Sequence, residues 1–342
     1  MRVRGSTLYT MPPGVRRAAT AIVVTSAVAV LAATAAYADT GGLAPPDPKS
    51  PNTQRINDAY WVIMVFTGLI FFLVEGALIA FVVKYRRGRR PRTVEGPQIH
   101  GSGKLEVAWT VLPVVILAVI GSFVFYKLPG IKTVPEARAA GDTTVEIEGH
   151  QFYWLFRYPN GAIAIDDMRA PADSVVRERI TAPEEGVIHS WWIPQLSPKF
   201  DAVPGTVNET WFRAPAGRYE YRCGELCGVQ HAFMNGYVQV LPRAEFEQWV
   251  ERRAENATGV ALGKEEWNGV CQKCHRLDEE YVGPALRGNP LLADRKGIET
   301  LLRNGGIKMP AAGNTWTDEQ IDALVAYTKR FAKEGGEGGG QG

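Results

Sequence analysis

Apolar positions follow three different rhythms along this chain of 342 residues. Tyr60 to Val83 and Leu105 to Tyr126 are long apolar runs with one charge each, Glu75 and Glu106. Each exceeds the ~20 residues that carry a helix across a bilayer, so the pair predicts a transmembrane hairpin over 58–128. From Thr143 to Leu241 the rhythm changes to alternation. Thr143–Gly149, Ser174–Thr181, Val207–Arg213, Arg218–Arg222 and Tyr237–Leu241 set apolar against polar residues between Gly and Pro punctuation, which predicts a small β-sandwich or barrel over 142–242. After Pro242 the spacing turns helical: Phe246, Trp249 and Val250 mark a linker helix over 243–262. A short helix over 265–270 follows, then a last one opened by the capping box Thr317-Asp318-Glu319-Gln320, with Ile321, Leu324, Val325, Thr328 and Phe331 on one face. This predicts a small all-α domain over 263–332, ahead of a Gly- and Glu-rich disordered tail at 333–342.

Charge settles orientation. The N-terminus has Arg2, Arg4, Arg16 and Arg17, an Ala-rich run from Ala18 to Ala36, and Ala36-Tyr37-Ala38, which reads as a signal peptide over 1–38 and a loose segment over 39–57. The same run retained as a third anchor is the alternative; its poverty in Leu favours cleavage. Lys84-Tyr85-Arg86-Arg87-Gly88-Arg89-Arg90-Pro91-Arg92 joins the two spans and places that loop in the cytoplasm, so everything after about Leu128 is extracytoplasmic. A net charge of +2 without a basic, aromatic-interleaved patch gives no footprint for nucleic acid. Glu75 is costly inside a span and has no assigned role. His100 lies in the polar loop and reads as solvated, and His150 on a strand reads as locally satisfied.

All four cysteines fall in metal-type motifs. Cys223-Gly-Glu-Leu-Cys227-Gly-Val-Gln-His231-Ala-Phe-Met234 packs two thiols, an imidazole and a thioether into one loop, a donor set for a soft redox metal such as copper. His189 arrives from much earlier, in Val187-Ile188-His189-Ser190-Trp191-Trp192-Ile193-Pro194, the ligand layout of a cupredoxin. Two thiolates four residues apart, each able to bridge, suit a copper pair rather than a single ion. A Cys223–Cys227 disulfide would leave His231 and Met234 without a reason, and a four-cysteine zinc site would make the second motif accidental. That motif, Cys271-Gln-Lys-Cys274-His275, is the attachment signature of c-type haem. His275 supplies one axial ligand, and Met309 is the other, since no further Met or His follows.

At these residues the chain resembles subunit II of the haem-copper cytochrome c oxidases. The likeness covers Asn57 to about Pro242: the hairpin, Gly149-His150-Gln151-Phe152-Tyr153-Trp154, Ile188-His189-Ser190, Asp201-Ala202-Val203-Pro204-Gly205 and the cysteine loop. The resemblance implies a cupredoxin-like Greek-key β-barrel and a binuclear CuA centre. It makes Cys223 and Cys227 the bridges, His189 and His231 the imidazoles, Met234 the thioether and the Glu225 carbonyl the last donor. It further implies magnesium or manganese shared with subunit I through the Glu225 side chain, proton uptake near Glu106, and an electron path past Trp154. Fused to a cytochrome c domain, this is a caa3-type arrangement in a bacterial cell membrane. Subunit I would carry haem a and CuB, with subunit III beside it and an upstream cytochrome c or cytochrome bc complex as donor. In that reading electrons pass from haem c to CuA and on to subunit I, where oxygen is reduced with proton pumping. The small subunit of a CuA-containing nitric oxide reductase and a free membrane-anchored carrier are the competing readings. Retained copper ligands argue against quinol as donor. Relatives that oxidise a soluble cytochrome c have Trp where this chain has Phe152, and an acidic residue at the position of Gly186. Both departures point to the fused domain, held on its linker at high effective concentration, as the source of electrons.

Overall fold

The computed structural model describes residues 44–85, 98, 100–136 and 141–332. The expected signal segment, most of the arginine-rich loop and the C-terminal tail lie outside the described residues.

Two apolar helices, α1 (Pro51–Tyr85) and α2 (Gly103–Lys127), follow the long runs and are long enough to cross a membrane. No side chain of α2 is buried within the chain, and Leu69, Leu73, Val82 and Leu117 stand exposed. A helix apolar all round and unburied along its length needs lipid or a partner helix around it. Lys127 Nζ meets Asp58 Oδ2 at 2.7 Å and ties the two outer ends together.

The segment expected to be loose is anchored from Ser50 onward. Ser50, Asn52 and Thr53 are buried where α1 begins. Asn52 Nδ2 donates to the Trp211 carbonyl at 2.5 Å, and Thr53 Oγ1 donates to the Gln195 carbonyl at 3.0 Å. Polar residues read as loop by composition, yet hydrogen bonding lets them be buried at little cost.

The alternating region folds into two five-stranded sheets. One has the order β3-β2-β1-β5-β8, from Ile163–Ile165, Tyr153–Arg157, Thr143–His150, Val176–Thr181 and Asn208–Phe212. The other has the order β4-β10-β9-β6-β7, from Arg169–Pro171, Asn235–Leu241, Gly217–Cys223, His189–Ile193 and Ser197–Ala202. The pairs β1/β5 and β4/β10 are parallel and the others antiparallel. This is a cupredoxin-like sandwich whose core centres on Trp154, Phe156, Trp191 and Tyr221, with Trp154 and Trp191 in edge contact at 4.9 Å.

The linker helix α3 (Arg243–Glu255) is not a free tether. Phe246 and Trp249 are buried in the sandwich core, with Trp249 edge-on to Tyr158 at 5.3 Å. Beyond it lie α4 (Gly259–Gly269), which starts earlier than the helix expected over 265–270, α5 (Arg295–Asn304) and α6 (Asp318–Thr328). Both halves of the capping box at Thr317 and Gln320 are formed. A second core joins Trp267, Leu302, Trp316, Ile321 and Leu324 to Tyr153, Leu155 and Ile165 of the sandwich. The helical domain therefore shares a continuous apolar core with the β-domain.

Candidate copper and haem centres

Strand β9 ends at Cys223, and the loop that follows returns into β10 through a helical turn at His231–Phe233. The neck is closed by Cys223 N–H donating to the Met234 carbonyl at 2.9 Å. Neighbouring β6 starts at His189, because Trp191 pairs with Cys223 in the ladder. His189 Nδ1, Cys223 Sγ and Cys227 Sγ thus lie within 4.8 Å of one another. The two sulfurs are 4.0 Å apart, Cys227 Sγ is 3.6 Å from His231 Nδ1 and 3.3 Å from Met234 Sδ, and Cys223 Sγ is 3.3 Å from the Glu225 carbonyl. Gly149 permits the close approach of β1, since a Cβ there would stand 2.9 Å from the His189 side chain.

The thiols share protons unequally. The hydrogen bond between the two sulfurs holds the Cys223 thiol well below the usual thiol range and pushes Cys227 up. Two sulfurs, two imidazoles, a thioether and a carbonyl converging at the rim of the sandwich fit a pair of soft, redox-active ions. Both thiols are free, so no disulfide occupies the loop. Cys271 and Cys274 lie in a separate cluster, which removes the four-cysteine zinc alternative.

That second cluster begins with a helical turn at Cys271–Lys273, and His275 N–H donates to the Cys271 carbonyl at 2.9 Å. His275 Nδ1 stands 3.0 Å from the Pro284 carbonyl, which selects the Nδ1–H tautomer and leaves Nε2 free for a metal. Cys271, Cys274, His275 and Met309 all line one cavity of about 340 Å³ whose remaining wall is mostly apolar, including Trp267 and Leu324. Two thiols on one rim, an imidazole and a thioether in an apolar pocket fit a covalently attached haem.

The other expected site residues are dispersed. Trp154 is fully buried with its ring 5.9 Å from that of His189. The Glu225 side chain is exposed at the loop tip beside Leu226, and Val229 and Phe233 are exposed nearby. Glu106 is exposed in the first turn of α2. His150 is buried against Glu148, 3.3 Å away, and burial lowers its pKa.

Several residues that the motifs do not flag join the two centres. Gln230, the residue before His231, is buried and donates from Nε2 to Cys274 Sγ at 3.2 Å. Lys273, between the two haem-type cysteines, donates to the Phe152 carbonyl at 2.6 Å and pairs with Asp166 Oδ2 at 2.5 Å. Gln151 and Phe152 of the sandwich line the haem cavity, and Gln151 Nε2 donates to the Cys227 carbonyl at 2.6 Å. Only the placement of Gln230 beside His231, and of Lys273 inside Cys-x-x-Cys, hinted at these contacts.

Three family matches cover most of the chain: "Cytochrome C oxidase subunit II, transmembrane domain" over 38–126, "Cytochrome C oxidase subunit II, periplasmic domain" over 163–241, and "Cytochrome C oxidase, cbb3-type, subunit III" over 258–327. Cytochrome c oxidase subunit 2 of Alkalihalophilus pseudofirmus is 37% identical over 83% of this chain and 89% of its own length. The subunit of the same name from Bacillus sp. PS3 is 30% identical over 71% of this chain and 78% of its own. The crystal structure of the periplasmic domain of subunit II of Bradyrhizobium japonicum cytochrome oxidase is 33% identical, covers 36% of this chain and 98% of its own, and has a TM-score of 0.33. The relatives are oxidase subunits, which does not favour the nitric oxide reductase or free-carrier readings. With its hairpin, cupredoxin-like domain and C-terminal cytochrome c domain in one polypeptide, the chain belongs to the cytochrome c oxidase subunit II family, in a form consistent with a caa3-type fusion, and is a subunit of a haem–copper oxidase complex.

Proposed function

We propose that this subunit admits electrons to the complex through its C-terminal domain, passes them to the Cys223–Met234 loop, and delivers them to subunit I. There oxygen is reduced to water with proton pumping. In this reading Cys223, Cys227, His189, His231, Met234 and the Glu225 carbonyl would hold a CuA copper pair. Cys271, Cys274, His275 and Met309 would hold haem c. When bound, these groups supply one-electron chemistry without atom transfer. The residues hold them in water-poor pockets, so little must reorganise when charge arrives. Trp154, in contact with the His189 ring, continues the path inward. Glu225 contributes to a magnesium or manganese site at the border with subunit I. Glu106 serves proton uptake on the cytoplasmic side, where the arginine-rich loop places the start of α2. Subunit III and an upstream cytochrome c or bc complex complete the partners, in a bacterial membrane with both redox domains outside.

The observation that carries the reading is the 3.2 Å contact between Cys274 and Gln230, which sets the haem-attachment turn against the copper loop. Rapid mixing of the oxidised complex with reduced external cytochrome c tests it. The haem c band should reduce first and the near-infrared copper band should follow. Copper reduction ahead of haem c would sink the proposal.

A further inference from the structure

We propose that Lys273 and Asp166 form a docking pin that fixes the haem-attachment turn on the copper domain, so that Gln230 makes the contact between the two centres. The proposal rests on the electron route given above and adds the residues that hold its gap constant.

Lys273 has no part in the attachment chemistry, which needs only the flanking cysteines and His275. Its ammonium nonetheless makes two contacts across the domain boundary, with the Phe152 carbonyl and with Asp166. Asp166 is held from several sides in turn. Its Oδ1 accepts Trp154 N–H at 2.8 Å, and Tyr221 donates its hydroxyl to the Asp166 carbonyl at 3.1 Å. The residue holds a left-handed φ of 52°, a conformation that costs a non-glycine residue ~1 kcal/mol or more unless its surroundings fix it. Here the residue, through its carboxylate and its carbonyl, bridges β2, β9 and the haem-attachment turn at once. Lys273 and Asp166 keep only 19% and 20% of their side-chain surface exposed, so the pair is mostly removed from water. A pair of this kind adds little net stability but strongly prefers one geometry, because misplacing either partner strands a charge.

Around the pin the boundary is closely packed. Trp316 Nε1 donates to Tyr153 Oη at 2.8 Å, and Tyr153 donates to the Ala312 carbonyl at 2.6 Å. Gly269 lies so close to Ile165 that a Cβ would stand 2.3 Å from it. Within this frame Gln230 reaches Cys274 Sγ. With haem attached, that sulfur would be a thioether and still a weak acceptor. One hydrogen bond would then link the haem-attachment cysteine to the residue adjoining His231. The step served is a single electron transfer, ferrous to ferric at the haem and oxidised to reduced at the copper pair, with no bond made or broken. A domain that swung away would support it only for the fraction of time it was docked.

The test uses the intact, haem- and copper-loaded complex carrying Lys273→Met, Lys273→Arg, Asp166→Asn, Gln230→Leu or the Met/Asn double change. Hydrogen exchange of amides in 152–154 and 271–275 reads docking independently of turnover. Lys273→Met should speed it about tenfold, equivalent to ~1.4 kcal/mol. The double variant should be no worse than the poorer single, because the pair acts as one unit. Lys273→Arg should largely restore protection. Flash reduction of the haem, followed in the near-infrared copper band, should show transfer slowed about tenfold in Lys273→Met, a drop matching the lost docked fraction. Gln230→Leu should slow transfer with exchange unchanged, and both variants should keep their midpoint potentials. Unchanged exchange and unchanged transfer in Lys273→Met would overturn the pin while leaving haem-before-copper order intact. Copper reducing ahead of haem in the wild type would instead overturn the route itself.

Discussion

Glu266 on α4 offers a quantitative test of how the helical domain is built. It is completely buried beside Trp267, and among the described residues neither carboxylate oxygen makes a hydrogen bond of normal geometry. Burial raises its pKa from 4.5 to about 9, with the Gln320 amide and the Arg157 guanidinium opposing the rise. The folded protein therefore holds a neutral carboxylic acid at pH 7, whereas the unfolded chain is ionised. Because the unfolded state releases the proton more readily, stability is full below 4.5 and falls as pH rises toward 9. The slope is about 1.4 kcal/mol per pH unit, so the deficit at pH 7 is about 3 kcal/mol. Glu266→Gln, neutral at every pH, should abolish that slope. It also changes the number of donors in the same buried site, which makes the slope rather than the absolute stability the decisive quantity. Amide exchange of α4 and α6 in the full chain, corrected for intrinsic rates and followed from pH 5 to 8, measures the opening free energy. Parallel pH dependences for wild type and variant would show that the carboxylate is solvated or paired in the folded state and would refute the reasoning.

Cys223→Ser or Cys227→Ser should remove the mixed-valence copper signal in EPR, since no neighbouring sulfur can replace a bridge; Met234→Leu should shift the copper potential and keep the signal. Met309→Ala should leave haem attached at Cys271 and Cys274 but lower its midpoint potential, as loss of an axial thioether requires, and an unchanged potential would place the sixth ligand elsewhere. Topology reporters should read cytoplasmic near Arg90 and extracytoplasmic after Gly342; the same side for both would invalidate the hairpin orientation.

The residues that the structure gathers into two clusters were legible because they sit in short motifs whose spacing survives without a fold. Strands β1, β5, β8, β9 and β10 were legible because one face of each meets water or a polar rim. Strand β2 was not, and its burial explains why. Trp154 and Phe156 point into the sandwich core, while Tyr153 and Leu155 join the core of the helical domain. A strand buried on both faces has no polar alternation to detect. The two three-residue strands β3 and β4 are too short to show a period at all. The links between the centres were invisible for another reason. Lys273, Asp166 and Gln230 are ordinary polar residues until two distant segments meet, and no local pattern encodes that meeting.

A flexible tether raises effective concentration to the millimolar range, yet each contact still has to form and dissolve. Here Phe246 and Trp249 bind the linker to the sandwich, and Tyr153, Leu155 and Ile165 extend the helical domain's own core. Removing the helical domain would expose that apolar surface, so a truncated chain reports a damaged β-domain as well as a missing haem. The packing also changes who can reach the copper loop. Phe152 is 8% exposed and forms part of the wall of the cavity around Cys271 and Cys274. Its carbonyl is already taken by Lys273. The face of the sandwich around Phe152 is thus covered by the chain's own C-terminal domain. In the electron route proposed above, an external donor would therefore meet the helical domain, away from the residues of the copper loop.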